Sequence, residues 1–242
     1  MKFSVIRMLV VALLTTFLST VGIAKDASAS AASRTATSTL SPCMDTDVYV
    51  PVDITGSFVD TLAMPEFRRG VDQRLQSLIP DNLCIGSDLR VGILGHSASG
   101  VSKSMDHLRQ RIFSVSRNHM SADKVKEMST SQIKKIITDV TEGKIKRHEN
   151  TAVAQSFDNI AELIALRGRR AIVIAITDGD DTEFGKVAAP FKPGQLKGTR
   201  VYMIGAGATL EAGTSAQRSL RQQWEAYMVT AGAESFFWVS KP

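Results

Sequence analysis

The segment Ala171–Ile176, which reads AIVIAI, constrains the fold more than any other part of the sequence. Every residue in it is apolar, whereas a strand with one face in water alternates apolar and polar side chains. Continuous apolar strands are typical of sheets that are covered on both faces, and such sheets are mostly parallel. The segment therefore predicts an α/β protein with a buried central strand.

The rest of the chain alternates strand-like and helix-like patterns in the way that this fold class requires. Apolar side chains at helical spacing follow Pro65 and Thr151 and recur from Leu220 to Met228, and His107–Val115 is compatible with either a poor helix or a polar edge strand. Alternating strands and helices indicate βαβ units, a mostly parallel sheet and helices on both of its faces. The further strands are expected at Val48–Val52, Leu89–Leu94, Val201–Ile204 and Phe236–Val239.

One helix is expected to begin near Ser129, because Ser129 and Gln132 resemble a capping box. The apolar residues Ile133, Ile136 and Val140 follow on one helical face.

Two predicted strands end in aspartate. Asp53 closes the first strand and is followed at alternate positions by Thr55 and Ser57, with a turn expected through Gly56; Asp178 follows the strand at Ala171–Ile176. The carboxyl ends of parallel strands form the edge where open α/β sheets bind ligands. Carboxylate and hydroxyl oxygens suit Mg²⁺ or Mn²⁺ better than zinc. Local backbone capping is the alternative role of these side chains.

Thr151 precedes the predicted helix that carries Val153 and Phe157. Its hydroxyl is placed either to cap that helix as an N-cap residue or to face the same crevice.

Taken together, these motifs resemble the von Willebrand factor type A family, also called the integrin inserted domain, over Val48–Val239. VDITGS is similar to the first metal-site motif of the family, Asp-x-Ser-x-Ser, with Thr55 in place of the first serine. Glu149-Asn150-Thr151 matches the loop that carries a lone threonine, and AIVIAITDGDD looks like the strand and turn that supply the last aspartate. Residues 198–207 are similar to the next strand of the family and its Gly-x-Gly ending.

The resemblance implies a three-layer, doubly wound fold with a metal-ion-dependent adhesion site. Such a site holds Mg²⁺ or Mn²⁺ and leaves one coordination position open for an Asp or Glu of a partner protein. Hydroxyls would bind the cation directly, and the two aspartates would act mainly through bound water. The implied metal ligands are Asp53, Thr55, Ser57, Thr151 and Asp178.

A Mg²⁺-dependent hydrolase related to haloacid-dehalogenase phosphatases is the alternative from another functional class. An apolar strand ending in Asp53 and an acidic turn at Asp180-Asp181 are compatible with it. Those enzymes need a second acid two residues after the nucleophile, and Thr55 occupies that position. A binding module is therefore favoured over an enzyme, and a structural assembly component without metal is the third interpretation.

The first residues are typical of a secretory signal peptide. Lys2 and Arg7 precede an apolar run that ends near Ile23, and small residues follow. We expect cleavage after Ala24 or as late as Ala29, and hence an exported protein that is periplasmic, envelope-associated or secreted and has no stable membrane span after cleavage. Residues 25–42 are rich in Ala, Ser and Thr and predict a flexible tether to a von Willebrand A-like domain over residues 43–242.

The two cysteines of the chain, Cys43 and Cys84, each precede a predicted strand by a few residues. An even cysteine count in an exported protein favours one disulfide, although two free thiols are the alternative.

The stretch from Gly100 to His148 is rich in Lys and Arg and accounts for much of the net charge of +5. Phe113 is its single aromatic residue, so a stacking platform for nucleic acid is not favoured. A solvated helical face is the better interpretation, and an acidic protein partner is compatible with it.

Overall fold

The structure is a computed structural model, and it describes residues 46–83, 86–94, 108–111, 114–115, 118–119, 122–147, 152–181 and 193–242. The predicted signal peptide, the tether and both cysteines lie outside these residues. In chain order the elements are β1 (Thr46–Asp53), α1 (Gly56–Ala63), α2 (Pro65–Asn82), β2 (Asp88–Leu94), β3 (Leu108–Arg111), β4 (Ser114–Val115), β5 (Asn118–His119), α3 (Ala122–Thr141), α4 (Val153–Arg167), β6 (Arg170–Ile176), β7 (Thr199–Ile204), α5 (Ser215–Ala231) and β8 (Ser235–Val239).

The main sheet has six strands in the order β3-β2-β1-β6-β7-β8, and β4 pairs with β5 in a separate two-stranded sheet. β1 is parallel to both β2 and β6, and β7 and β8 continue the parallel arrangement on the far side. β3 is antiparallel to β2 at one edge. The predicted α/β class with a mostly parallel sheet is therefore confirmed, and Leu108–Arg111 is an edge strand rather than a helix.

The strand order reverses direction between β1 and β6. The chain runs from β1 outward to β2 and β3, and later from β6 outward to β7 and β8 on the other side. Such a switch point opens a crevice beyond the carboxyl ends of the two strands. Asp53, the last residue of β1, and Thr177, the residue after β6, lie at this point.

Alternate residues of the central strands enter two different hydrophobic clusters. Val48 and Ile174 belong to a cluster that also contains residues of α1, α2 and α3. Tyr49 and Val173 belong to a second cluster, which contains residues of α4 and α5. Burial on both sides explains why β6 is continuously apolar after Arg170.

Pro51 lies within central strand β1, although proline lacks the N–H that a ladder requires. The pairing of β1 with β6 skips Val50 and Pro51 and resumes at Val52 with the same offset. The pairing with β2 continues through Pro51, opposite Gly92. The strand therefore accommodates the proline by losing part of one ladder, without a change of register.

Two local predictions are wrong. The expected turn through Gly56 is the start of helix α1, with Thr55 as its N-cap residue. The expected capping box at Ser129 and Gln132 lies inside helix α3, which begins at Ala122. In both places a helix begins before the apolar periodicity becomes visible in the sequence.

A buried ionic network ties the opposite, amino-terminal edge of the sheet together. Asp47 and Asp88 begin β1 and β2, and each is only 1% exposed. Nε of Arg167 donates to Oδ2 of Asp47. A terminal nitrogen of the same guanidinium contacts Oδ2 of Asp88 at 3.0 Å. Arg169 contacts the other oxygen of Asp47 at 2.9 Å. The end of α4 is thereby joined to the starts of two central strands.

Four basic residues of the Gly100–His148 stretch are exposed and paired with acids: Lys134, Lys135, Lys144 and Arg147. Lys134 contacts Asp72 at 3.3 Å, and Arg147 contacts Asp60 at 2.9 Å. Exposed pairs of this kind contribute little to stability and leave the surface hydrated. None of the helices in the described part of the chain has the length and apolar character needed to cross a bilayer.

Candidate metal centre

A hydrogen bond between Thr177 and Asp53 joins the carboxyl ends of β1 and β6. The hydroxyl of Thr177 donates to Oδ2 of Asp53 at 2.7 Å, and both residues are completely buried. The backbone N–H of Thr177 donates to the carbonyl of Ile204, which extends the contact to the end of β7. Thr177 therefore links the ends of β1, β6 and β7 and helps to fix the position of the Asp53 carboxylate.

Thr55 holds the other oxygen of the same carboxylate. Its N–H donates to Oδ1 of Asp53 at 2.8 Å, and its hydroxyl donates to the same atom at 2.9 Å. Thr55 is the N-cap residue of α1, but its side chain makes no capping hydrogen bond. The hydroxyl donates its hydrogen bond to Asp53, so the lone pairs of its oxygen remain available to bind a cation.

Ser57 lies two residues after Thr55, in the first turn of α1, and its side chain is exposed to solvent. Its backbone carbonyl accepts a hydrogen bond from the hydroxyl of Thr61. All three residues thus lie at the junction of β1 and α1, and a joint role of the Ser57 side chain with Asp53 and Thr55 stays a prediction.

Asp178 is the second buried carboxylate of the crevice, with 1% of its surface exposed. The N–H of Asp180 donates to Oδ1 and the hydroxyl of Thr209 donates to Oδ2, each at 3.0 Å. Burial raises the pKa of Asp178 to about 6, and the charge of Asp53 contributes to the same rise. The crevice therefore disfavours two negative charges in the absence of a compensating cation or proton.

The turn after Asp178 depends on Gly179. This residue has φ +75°, and a Cβ placed there would lie 3.1 Å from both Sδ of Met203 and Nε1 of Trp224. Its N–H donates to the hydroxyl of Thr177, and its carbonyl accepts from Nε1 of Trp224 at 2.8 Å. Trp224, on α5, is fully buried and fixes the loop that carries Asp178.

The same loop also holds the start of α4. Oδ2 of Asp181 accepts from the N–H of Ala154 at 2.7 Å, and the hydroxyl of Tyr227 donates to the carbonyl of Ala154. A carboxylate at this place satisfies one of the free amides of the first helical turn. The N-cap residue of α4 is Ala152, so the alternative role of Thr151 as N-cap is wrong. Thr151 itself lies outside the described residues.

Four contributors to this arrangement could not be recognised as such from the sequence. Thr177 directly precedes Asp178, and Asp181 lies three residues after it. The sequence indicates an acidic turn there but does not give the direction of either side chain. Thr209 and Trp224 come from the segment after β7 and from α5, and no local pattern connects them with Asp178. The four supporting residues that the structure adds are therefore Thr177, Asp181, Thr209 and Trp224.

The oxygen atoms that converge here are those of two carboxylates and neutral hydroxyls. Within the described ranges, no three His, Cys, Asp or Glu side chains form a group that could hold a metal ion. The donor set instead resembles the hard, oxygen-only environment that Mg²⁺ prefers when water completes its coordination. The residues present are therefore chemically compatible with a hard divalent cation.

Comparison with known proteins finds no protein-family model and no curated protein that matches this chain. Fold and site together define an α/β protein with a carboxylate and hydroxyl crevice at the switch point of its sheet.

Proposed function

We propose that this protein is an exported binding module of the von Willebrand A type, which engages an Asp or Glu of a partner protein through Mg²⁺ or Mn²⁺. The observation that carries the proposal is the convergence of Asp53, Thr55 and Asp178 at one edge of the sheet. Three features support the proposed fold: the strand order, the antiparallel edge strand and the two groups of helices. A three-layer, doubly wound arrangement would produce all three.

The raised pKa of Asp178 supports a cation at this place. Two carboxylates at the carboxyl ends of adjacent strands, both nearly inaccessible to water, repel each other unless a positive charge lies between them. Thr55, Ser57 and Thr151 would hold the ion through their hydroxyls, and Asp53 and Asp178 mainly through water. When bound, the ion would supply the positive charge that attracts a carboxylate of the partner.

The chain's own side chains would keep this set in place without the ion. Asp53 accepts from both donors of Thr55, and Thr177 holds its other oxygen. Asp178 is held by Thr209 and by the N–H of Asp180. Because these bonds exist before any ligand arrives, little ordering would be required on binding, which favours affinity.

The contact between Asp181 and Ala154 supports the inclusion of Thr151. Ala154 is three residues after Thr151 and is bound to the Asp178 loop at 2.7 Å. On this basis Thr151 is kept in the proposed set of hydroxyl ligands.

The hydrogen bonds of Thr55 favour binding over phosphoester hydrolysis. A hydrolase of the haloacid-dehalogenase type needs an acid two residues after Asp53, whereas Thr55 has a hydroxyl that donates a hydrogen bond to Asp53. We therefore expect no Asp53-dependent turnover of a generic phosphoester with Mg²⁺.

The proposal is tested by isolating partners from the cell envelope with and without EDTA. Wild type should retain a partner with Mg²⁺ and lose it with EDTA, and Asp53→Ala should not retain it. Asp60→Ala is the matched control, because Asp60 lies on α1 with its side chain 69% exposed and pairs only at the surface with Arg147. Substitution of each acid of the purified partner should then reveal one that binding requires. Binding that resists EDTA and survives every substitution would contradict the proposal.

A further inference from the structure

A groove of about 870 Å³ lies beside the crevice. One wall comes from the junction of α1 and α2, with Met64, Pro65 and Phe67, and the other comes from the segment after β7, with Ala208 and Leu210. Most of the lining surface is apolar, and Met64 is 57% exposed. The volume is in the range of about 300–1,000 Å³ that is typical of ligand pockets.

The segment Gly207–Leu210 is shared by the groove and the crevice. The N–H of Gly207 donates to the carbonyl of Asp178 at 2.6 Å, and the hydroxyl of Thr209 donates to the Asp178 carboxylate. Gly207, Ala208 and Leu210 line the groove. The groove therefore lies next to the proposed ligand position, and a segment of only four residues contributes to both.

The charged residues of the groove favour an acidic occupant. Arg69 and Lys241 line it and are exposed, and Glu66 is the acidic residue among its lining side chains. Exposed basic side chains at the rim attract acidic segments and speed their association. This charge agrees with the acidic group that the proposed function requires.

We propose that the groove holds an apolar side chain of the partner, two to four residues from the acidic side chain engaged by the cation. This inference rests on the function proposed above. An extended segment advances roughly 3.3 Å per residue, so two to four residues cover about 7–13 Å. The partner segment is thus an extended, acidic peptide with one apolar anchor.

A panel of labelled nine-residue peptides tests the spacing. Each has one Asp in a Gly/Ser background and one Leu, which is moved through every position from four residues before the Asp to four after it. Fluorescence anisotropy with Mg²⁺ should show that Leu at a distance of two to four residues strengthens binding at least about tenfold, or roughly 1.4 kcal/mol. A peptide without Leu provides the reference.

Groove variants identify where the leucine binds. Met64→Ser and Leu210→Ser, which remove an apolar side chain without adding charge, should each remove the gain from Leu and leave Mg²⁺ affinity by calorimetry unchanged. Leu166→Ser is the matched control, because Leu166 lies on α4 with 84% exposure, and it should keep the gain.

The outcomes separate the groove from the metal site. No gain at any position, or a gain that both groove variants retain, would overturn the groove assignment. A gain that the groove variants abolish, but that persists with EDTA and in Asp53→Ala, would support the groove and overturn the cation-bridged function. A gain that requires Mg²⁺, Asp53 and an intact groove would support both.

Discussion

The hydroxyl of Thr177 donates to the carboxylate of Asp53 at 2.7 Å and so connects the ends of the two central strands. The same oxygen of Thr177 accepts the N–H of Gly179 at 3.0 Å. One side chain therefore fixes both the first aspartate of the crevice and the turn that carries the second. Because all of these groups are buried, the loss of this hydroxyl should affect the whole site.

Thr177→Val should lower the stability of the protein and weaken metal binding, whereas Thr177→Ser should largely preserve both. Valine has the same shape as threonine but cannot donate, and a hydrogen bond to a charged group contributes about 1.5–3 kcal/mol. Urea unfolding gives the first quantity and calorimetric titration with Mg²⁺ gives the second. Equal behaviour of Val and Ser would show that the hydroxyl does not position the carboxylate.

Mg²⁺ or Mn²⁺ should raise the melting temperature of wild type, and Asp53→Ala should abolish the rise. A ligand that binds only the folded state stabilises it by about 2.7 kcal/mol at a hundredfold excess over its Kd. For a domain of this size that corresponds to roughly 5–10 °C. Asp60→Ala should keep the full rise, because Asp60 is an exposed surface residue. An undiminished rise in Asp53→Ala would place the ion elsewhere.

The stability of the metal-free protein should fall as the pH rises through the range of the Asp178 titration. The pKa of Asp178 is about 6 in the folded protein and 3.8 as the ordinary value, so the folded state binds more protons in between. The stabilising contribution of Asp178 is therefore fully present below about pH 4 and is lost as the pH rises past 6. The loss in the free energy of unfolding is on the order of 3 kcal/mol. Asp178→Asn cannot titrate and should lack this dependence.

The measurement is urea unfolding in chelated buffers between pH 4.5 and 7.5, read as the difference between wild type and Asp178→Asn. Other groups titrate in both proteins and cancel in the difference. A difference that does not change across this range would contradict the burial effect on Asp178.

The strands of the sheet could be predicted because their signals are local. β1, β2, β6 and β7 are short apolar runs, and the alternation of strands with helices indicates a parallel sheet. The position of Asp53 and Asp178 at one edge follows from that topology, since parallel strands end on the same side. The direct pairing of β1 with β6, far apart in the sequence, does not follow from this rule and comes from the structure.

The features that could not be predicted are the exact starts of helices, the directions of side chains, and contacts between residues far apart in the sequence. Helix α1 is eight residues long and begins at a glycine, which in the sequence alone indicates a turn. Helix α3 begins with a mainly polar segment in which Val125 and Met128 are the large apolar residues, a signal weaker than the capping pattern at Ser129. Thr209 reaches Asp178 across β7, a contact that no sequence spacing encodes. The supporting residues of the site are therefore the part that the structure adds.

Arg167→Met should destabilise the protein strongly, by about 3–5 kcal/mol, because it leaves a buried carboxylate without its cation. Asp47 and Asp88 are 1% exposed, and Arg167 contacts both. Arg221→Met is the matched control, since Arg221 and Glu225 form an exposed pair on one helix, and it should cost less than about 1 kcal/mol. Urea unfolding at pH 7 compares them. Equal losses would show that Arg169 alone compensates the two aspartates.

Cys43 and Cys84 should form a disulfide in the exported protein. Each cysteine precedes by three residues one partner of a described contact, in which the hydroxyl of Ser87 donates to the carbonyl of Thr46. β1 and β2 are parallel neighbours, with Val48 opposite Leu89. Neighbouring strands lie about 4.8 Å apart. A disulfide needs Cα atoms at roughly 4.4–6.8 Å, so positions that continue the pairing of β1 and β2 are within bridging range.

Thiol labelling of the denatured, unreduced protein should find no free cysteine, and reduction should lower the free energy of unfolding by about 3–4 kcal/mol. The double variant Cys43→Ser/Cys84→Ser should match reduced wild type and be insensitive to reductant, which separates loss of the bridge from other effects of reduction. The bridge would close the same end of β1 and β2 that Arg167 holds by charge, so the double variant should also make the protein more sensitive to Arg167→Met. Two reactive thiols in exported protein would rule out the bridge and leave the ionic network as the connection between these strand ends.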